Sequence, residues 1–137
     1  MKRVLIDTNV ALDFYLKLPE FFVAADGIFQ AIRSRKIVAC ISASVATDLY
    51  YILERRINEK YAREVVEIVY ATFRILTVDR RTIREALDAP MADFEDAVQA
   101  VTVKKIGVNV VVTRDKTGFS NSGLLVYAPE EFLETLK

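Results

Sequence analysis

The sequence has no histidine, one cysteine, three prolines and four glycines among its 137 residues. The missing histidine excludes Ser-His-Asp and Cys-His machinery, imidazole-held zinc, and the histidine acid–base pairs of metal-free nucleases. Any catalysis must rest on carboxylates, lysine, tyrosine or a bound metal. The single cysteine, Cys40, excludes an intramolecular disulfide and lies in an apolar run, which reads as a buried thiol in a reducing, cytoplasmic compartment. Scarce glycine and proline imply long regular elements and short loops. No apolar run approaches the ~18 residues a membrane span needs. Met1-Lys2-Arg3 runs straight into an apolar stretch, so no signal peptide is expected. Nor is there an excess of either charge. Nineteen basic residues face nineteen acidic ones, which removes a global field for nucleic acid but leaves room for a local basic rim.

What is there is apolar and ordered. Hydrophobic residues make up 53% of the chain and charged ones 28%, a balance that fits one globular domain over residues 1–137. The stretch Val4-Leu5-Ile6-Asp7-Thr8-Asn9-Val10 organises the rest. A short apolar run that ends in turn chemistry reads as a strand buried on both faces. Residues just after such a strand sit at its carboxyl end, where open α/β sheets bind ligands. Asp7 therefore reads as a carboxylate at the mouth of a crevice, or as a cap of the next helix.

Periodicity predicts strands at Arg3–Ile6, Ile37–Ile41, Ile75–Val78, Val108–Thr113 and Leu124–Tyr127. Helices are predicted at Asn9–Leu18, Glu20–Ser34, Ala43–Arg56, Glu59–Phe73, Arg80–Asp88, Asp93–Lys105 and Pro129–Lys137. Asn58 and Asp79 read as N-caps, and Pro129 as a first helical residue. Alternation of this kind indicates an α/β fold with a parallel sheet and right-handed crossovers. The helical pair between strands two and three reads either as a docking hairpin or as a cover for the sheet.

Acids recur at the strand ends. Asp7 follows strand one, Asp48 lies in the helix after strand two, Asp93 and Asp96 open the helix before strand four, and Asp115 follows strand four. Carboxylates gathered at one edge repel, and such groupings persist mainly where a cation compensates them. An all-oxygen set selects a hard ion, Mg²⁺ or Mn²⁺, suited to phosphodiester hydrolysis. Singly, each acid has a plainer reading. Asp93 and Asp96 suit a helix dipole, Asp48 an exposed helix face, and Asp115 a turn. Asp13 and Asp26 read as solvated helix faces.

Taken in order, Val4 to Val10, Ser42 to Tyr51, Asp93-Phe94-Glu95-Asp96-Ala97-Val98-Gln99-Ala100, Val111-Val112-Thr113-Arg114-Asp115 and Ala128-Pro129-Glu130-Glu131-Phe132-Leu133 resemble the PIN domain, in particular its small toxin–antitoxin members. The resemblance covers essentially the whole chain. It implies a three-layer α/β/α fold around a five-stranded parallel sheet of order 3-2-1-4-5. It further implies a Mg²⁺- or Mn²⁺-dependent endoribonuclease, commonly held in check by a cognate antitoxin protein. Carried over, Asp7, Asp96 and Asp115 are metal ligands, Asp93 is an auxiliary acid, and Thr8, Asn9 and Thr113 orient the ligands. Asp48 stands where the family usually has glutamate, with a reach shorter by one methylene. Gly118-Phe119 replaces a common Asp-Phe ending.

Arg114 and Lys116 are the basic groups nearest these acids and are candidates for holding RNA phosphates. Arg33, Arg35, Lys36, Arg80, Arg81 and Arg84 form further basic clusters, which more commonly mark solvated faces. The aromatics Phe21, Tyr50, Tyr51 and Tyr61 are expected on helix surfaces, which suggests a homodimer. Two other readings compete: a non-catalytic PIN module that binds RNA or a protein, and a phosphoacceptor receiver domain. The latter needs paired acids after strand one and a lysine after strand five. Here there is a single acid, Asp7, and Ala128-Pro129.

Overall fold

The computed structural model describes residues 2–137. Its elements run β1 (Lys2–Ile6), α1 (Thr8–Tyr15), α2 (Phe22–Arg33), β2 (Ile37–Ser42), α3 (Ala43–Arg56) and α4 (Glu59–Thr72). Then come β3 (Arg74–Leu76), α5 (Arg80–Asp88), α6 (Phe94–Lys104), β4 (Val110–Val112), a 3-10 turn at Thr117–Phe119, β5 (Leu125–Tyr127) and α7 (Pro129–Glu134). The five strands form one sheet in the order β3-β2-β1-β4-β5. All four pairings are parallel. The α/β architecture read from the alternation of elements and the strand order implied by the resemblance are those observed.

The period of two along β1 divides the core. Val4 and Ile6 face one layer with Ala39, Ile41, Val110 and Val112, covered by residues of α1 to α4 and by Phe132 of α7. Leu5 faces the other with Cys40 and Val111, covered by Ala100 and Val103 of α6 and by Phe119. Both faces of β1 are thus buried, as a run without alternation requires. Cys40 is a free, fully buried thiol, raised above its ordinary pKa chiefly by burial. That is the inert state expected for it.

Element ends differ from the periodicity reading in an instructive way. The first helix stops at Tyr15, before the predicted Leu18, because Lys17 takes a left-handed conformation (φ 52°). The Leu18 N–H donates to the Asp13 carbonyl and the Lys17 N–H to the Phe14 carbonyl, a Schellman closure without glycine. Arg35 (φ 61°) closes α2 in the same manner, with Arg35 and Lys36 donating to the Ile32 and Ala31 carbonyls. β3 lies one residue earlier than predicted and ends two residues sooner, at Leu76, and β4 pairs only over Val110–Val112. Val108 instead donates back to Val103, as part of the turn that leaves α6. α7 ends at Glu134 rather than Lys137.

Two predicted caps are present. Asn58 accepts from the Tyr61 N–H at 2.8 Å, and Asp79 forms a reciprocal capping box with Thr82. The α3–α4 hairpin does cover the sheet, through Val45, Leu49, Leu53, Ala62, Val65 and Val69. Its outer side also leaves Tyr51, Ile57, Ile68 and Tyr70 exposed. Of the aromatics expected on the surface, Tyr51 alone is exposed, at 54%. Phe21, Tyr50 and Tyr61 are half-buried, and the Tyr61 hydroxyl donates to the Tyr15 carbonyl at 2.6 Å.

Candidate active site

Every strand of a parallel sheet ends on the same edge, so β1 and β4 deliver Asp7 and Asp115 to one place. Asp7 follows Ile6, and its N–H donates to the Val112 carbonyl at 3.0 Å, which extends the β1–β4 ladder by one bond. Its side chain is buried, with 6% exposure. Oδ1 accepts from the Thr8 N–H (2.8 Å) and from Gln99 Nε2 (3.2 Å), and Oδ2 accepts from Thr113 Oγ1 (2.7 Å). Asp7 is thus the cap of α1, one of the two readings of its sequence position, and it stands directly after the last residue of β1. Three donors on one carboxylate fix its orientation.

Thr113 is the hub of this arrangement. It is fully buried, and its Oγ1 also accepts from the Asp115 N–H (2.9 Å) and from Asn9 Nδ2 (3.4 Å). Asn9 Oδ1 in turn accepts from the Arg114 N–H at 3.3 Å. Thr8 acts through its backbone, and Asn9 reaches Asp7 only by way of Thr113. Asp115 Oδ1 accepts from the Gly118 N–H at 3.0 Å. A β-carbon placed on Gly118 would lie 2.6 Å from Asp115 Oδ2 and 2.7 Å from Asp96 Oδ2. The two oxygens therefore border one small space, which any side chain at position 118 would fill.

Asp93 is the N-cap of α6 and accepts from the Asp96 N–H at 2.9 Å, which holds Asp96 in the first turn of that helix. Asp96 carries the largest perturbation of the group. Burial, followed by the charges of Asp7, Asp93, Asp115 and Glu95, pushes its carboxyl up to about 7. Asp48, half-buried on α3, is raised by burial. Glu95 is raised first by the charge of Asp48, then by burial and by Asp93 and Asp7. The field of acids thus runs from Asp48 through Glu95 and Asp96 to Asp7 and Asp115.

Two basic groups expected to face RNA are engaged elsewhere. Arg114 is bidentate to Asp13 (Nε to Oδ2 2.7 Å, Nη2 to Oδ1 3.0 Å), and its guanidinium lies 3.8 Å from the centre of the Phe21 ring. Lys116 Nζ donates to both carboxylate oxygens of Glu131, at 2.9 and 3.2 Å. Asp13, read as a solvated helix residue, is instead 1% exposed. Its position on the buried side of α1 follows from Val10 and Ala11 being buried beside it, and Arg114 makes that position tolerable.

Sequence reasoning also missed Gln99 and Glu95. Gln99 lies three residues after Asp96 within a run of buried Ala97, Val98 and Ala100. A polar residue on the apolar face of a helix was the available signal. Glu95 was hidden by its ordinary place in an acidic first turn.

The donor set is all oxygen, which suits a hard cation. Among the described residues, no three acidic or thiol side chains stand close enough to form a ready-made cage. Mg²⁺ does not need one, because it is commonly held by one or two carboxylates and completes its shell with water and substrate phosphate. The small space bordered by Asp96, Asp115 and Gly118 fits that requirement, with Asp7 fixed at the same strand edge.

Burial of Asp96, together with the repulsion from the acids around it, has a measurable cost. Asp96 has a folded-state pKa of about 7 against an ordinary 3.8, so the native state binds its proton more tightly than the unfolded chain does. The penalty is absent below pH 3.8, grows from there to about pH 7, and is complete above. In chelator, wild type should lose melting temperature across that window. Asp96→Asn should lose less and should melt higher at pH 8. Calorimetry at a series of pH values checks this, and parallel profiles for the two proteins would contradict it.

A parallel sheet of order 3-2-1-4-5 with carboxylates at its carboxyl edge is the arrangement of a PIN domain. The PIN domain profile matches residues 3–117, and the chain belongs to that family. It is similar to Ribonuclease VapC1 of Aquifex aeolicus (strain VF5), with 28% identity over 141 residues, 97% of this chain and 94% of that protein. The fold also matches a DNA-bound VapBC from Salmonella typhimurium (TM-score 0.70, 22% identity, 94% of this chain and 99% of that one). A toxin–antitoxin complex from Klebsiella pneumoniae aligns with TM-score 0.63 at 17% identity, over 92% of this chain and 97% of that one.

Proposed function

We propose that the protein is a divalent-metal-dependent endoribonuclease, the toxin of a toxin–antitoxin pair, acting in the cytoplasm. The observation that carries this reading is the meeting of Asp96 and Asp115 around Gly118, beside an Asp7 held by three donors. Such a group of acids destabilises the apo fold and makes sense as a place for a cation. The similarity to a ribonuclease supports the substrate class, and the likeness to toxin–antitoxin complexes supports an antitoxin partner.

In this reading Asp7, Asp96 and Asp115 are the ligands. Mg²⁺ or Mn²⁺ bound there would supply an activated water and charge stabilisation for the leaving oxygen. Thr113 fixes Asp7 and, through the Asp115 N–H, the start of the turn that presents Asp115. Asp93 sets the first turn of α6 and hence the place of Asp96. Asp48 and Glu95 stand farther along the acid field, and Asp48, whose side chain is short, would reach the ion through bound water. Phosphate contacts by Arg114 or Lys116 require each to leave its present carboxylate partner. A homodimer fits the exposed apolar residues on the outer side of α3 and α4.

The experiment is a cleavage assay on structured and single-stranded RNA, on protein whose mass in solution has been measured by light scattering. Cleavage is expected with Mg²⁺ or Mn²⁺, to be lost with chelator and restored by added metal, at the mass of a dimer. RNA binding without cleavage would leave a non-catalytic module. Cleavage that survives the chelator would overturn the metal reading, and a monomer mass at micromolar concentration would overturn the dimer.

A further inference from the structure

Gln99 is 3% exposed, on the side of α6 that packs beneath the strand edge. Its Nε2 donates to Asp7 Oδ1 at 3.2 Å. Its Oε1 is buried and has no hydrogen-bond partner among the described residues. The orientation of the amide is decided by Asp7, because turning it over would set its carbonyl oxygen against a carboxylate oxygen. The chain therefore leaves a buried acceptor unpaired in order to keep a donor on Asp7. A leucine or methionine in that place would leave no orphan oxygen and would suit a helix position that is 3% exposed. An arrangement that is poor for stability and specific for one carboxylate is the signature of a functional demand.

We infer that Gln99 is a positioning residue of the active site: it turns the Asp7 carboxylate to the orientation that metal and substrate require. Thr8 N–H and Gln99 hold Oδ1 from one side while Thr113 holds Oδ2 from the other, so the plane of the carboxylate is fixed by opposed donors. Removing Gln99 leaves Oδ1 with the Thr8 N–H alone and Oδ2 with Thr113, so the carboxylate keeps two of its three donors and its plane is held less tightly. Partners that orient a metal-binding side chain typically alter metal affinity or rate by roughly 10–100-fold when lost. The inference rests on the metal-dependent reading of the site given above.

The test compares wild type with Gln99→Met and Gln99→Leu, which differ in shape but share the loss of both polar atoms. Three quantities are read: the melting temperature in chelator, the affinity for Mn²⁺ by calorimetric titration of the RNA-free protein, and kcat with KM for RNA. In chelator, both variants should melt within a few degrees of wild type, because relief of the orphan oxygen offsets the lost bond to Asp7. Mn²⁺ affinity or kcat should fall roughly 10–100-fold, with KM unchanged. A purely structural role gives the opposite pattern, in which melting temperature falls and the folded fraction keeps wild-type kcat and Mn²⁺ affinity. Wild-type affinity and kcat in both variants overturn the role of Gln99 while leaving the nuclease reading intact. A wild type that neither binds Mn²⁺ nor cleaves RNA removes both.

Discussion

Asp7→Asn is expected to abolish RNA cleavage while leaving the fold in place. The structure separates the two consequences. Asparagine has nearly the shape of aspartate, and its single oxygen can keep the bonds from the Thr8 N–H and Gln99 Nε2. Its amide nitrogen then faces Thr113 Oγ1, which already accepts from the Asp115 N–H and Asn9 Nδ2, so the buried Thr113 proton loses its acceptor. Relief of the charge repulsion on Asp96 opposes that loss, so the protein should stay folded with a melting temperature near that of wild type. The lost negative charge has no substitute, because Asp7 is the buried acid whose direction the surrounding donors define. A fall in kcat on the order of 10³-fold, about 4 kcal/mol on the barrier, is the expected scale for removing a charged ligand. Cleavage rates and melting curves on the same preparations check it. Activity within tenfold of wild type would mean that Asp7 is only the cap of α1.

The fold was open to reading because its signals are local and repeated. An unbroken apolar run such as Val4-Leu5-Ile6 has few uses other than a strand covered on both sides, and here both covers exist. Caps at Asn58 and Asp79 are equally local, since the side chain and the N–H it binds lie three residues apart. The helix end closed by Lys17 was not legible, because lysine carries no preference for the left-handed region, whereas α2 ends one residue from the expected Ser34. Strand ends were set by pairing, which no single segment encodes. The candidate site divides along the same line. Asp7, Asp96 and Asp115 could be placed at one edge from topology alone. The Thr113 hydroxyl bonding to Asp7, across 106 positions of sequence, could not. Nor could Gln99 across 92, since each was one polar residue in an apolar stretch with its partner far away in the chain.

Arg114 shows how a role read from the sequence can meet a distant partner in the fold, and it carries the largest expected effect on stability. As a basic residue beside a candidate ligand it reads as a phosphate contact. In the fold it is the partner of Asp13, whose side chain is 1% exposed, while that of Arg114 is 33% exposed. Arg114→Ala leaves a buried carboxylate without either of its charge-assisted bonds and also removes the stacking on Phe21. Breaking a buried pair from one side costs about 3–5 kcal/mol. The partly exposed guanidinium puts this case at the lower end, about 3 kcal/mol, or a fall in melting temperature on the order of 10 °C. The double variant Asp13→Leu with Arg114→Ala removes the stranded charge, so it should melt well above Arg114→Ala alone, and a double-mutant cycle reports the coupling. A phosphate contact predicts something else: a higher KM for RNA, a weaker dependence of binding on salt, and an unchanged melting temperature. Thermal melts and salt-dependent RNA binding on the same four proteins decide between them. The clamp also spans α1 and the turn that presents Asp115, so its loss should loosen that turn and lower kcat even in the fraction that remains folded.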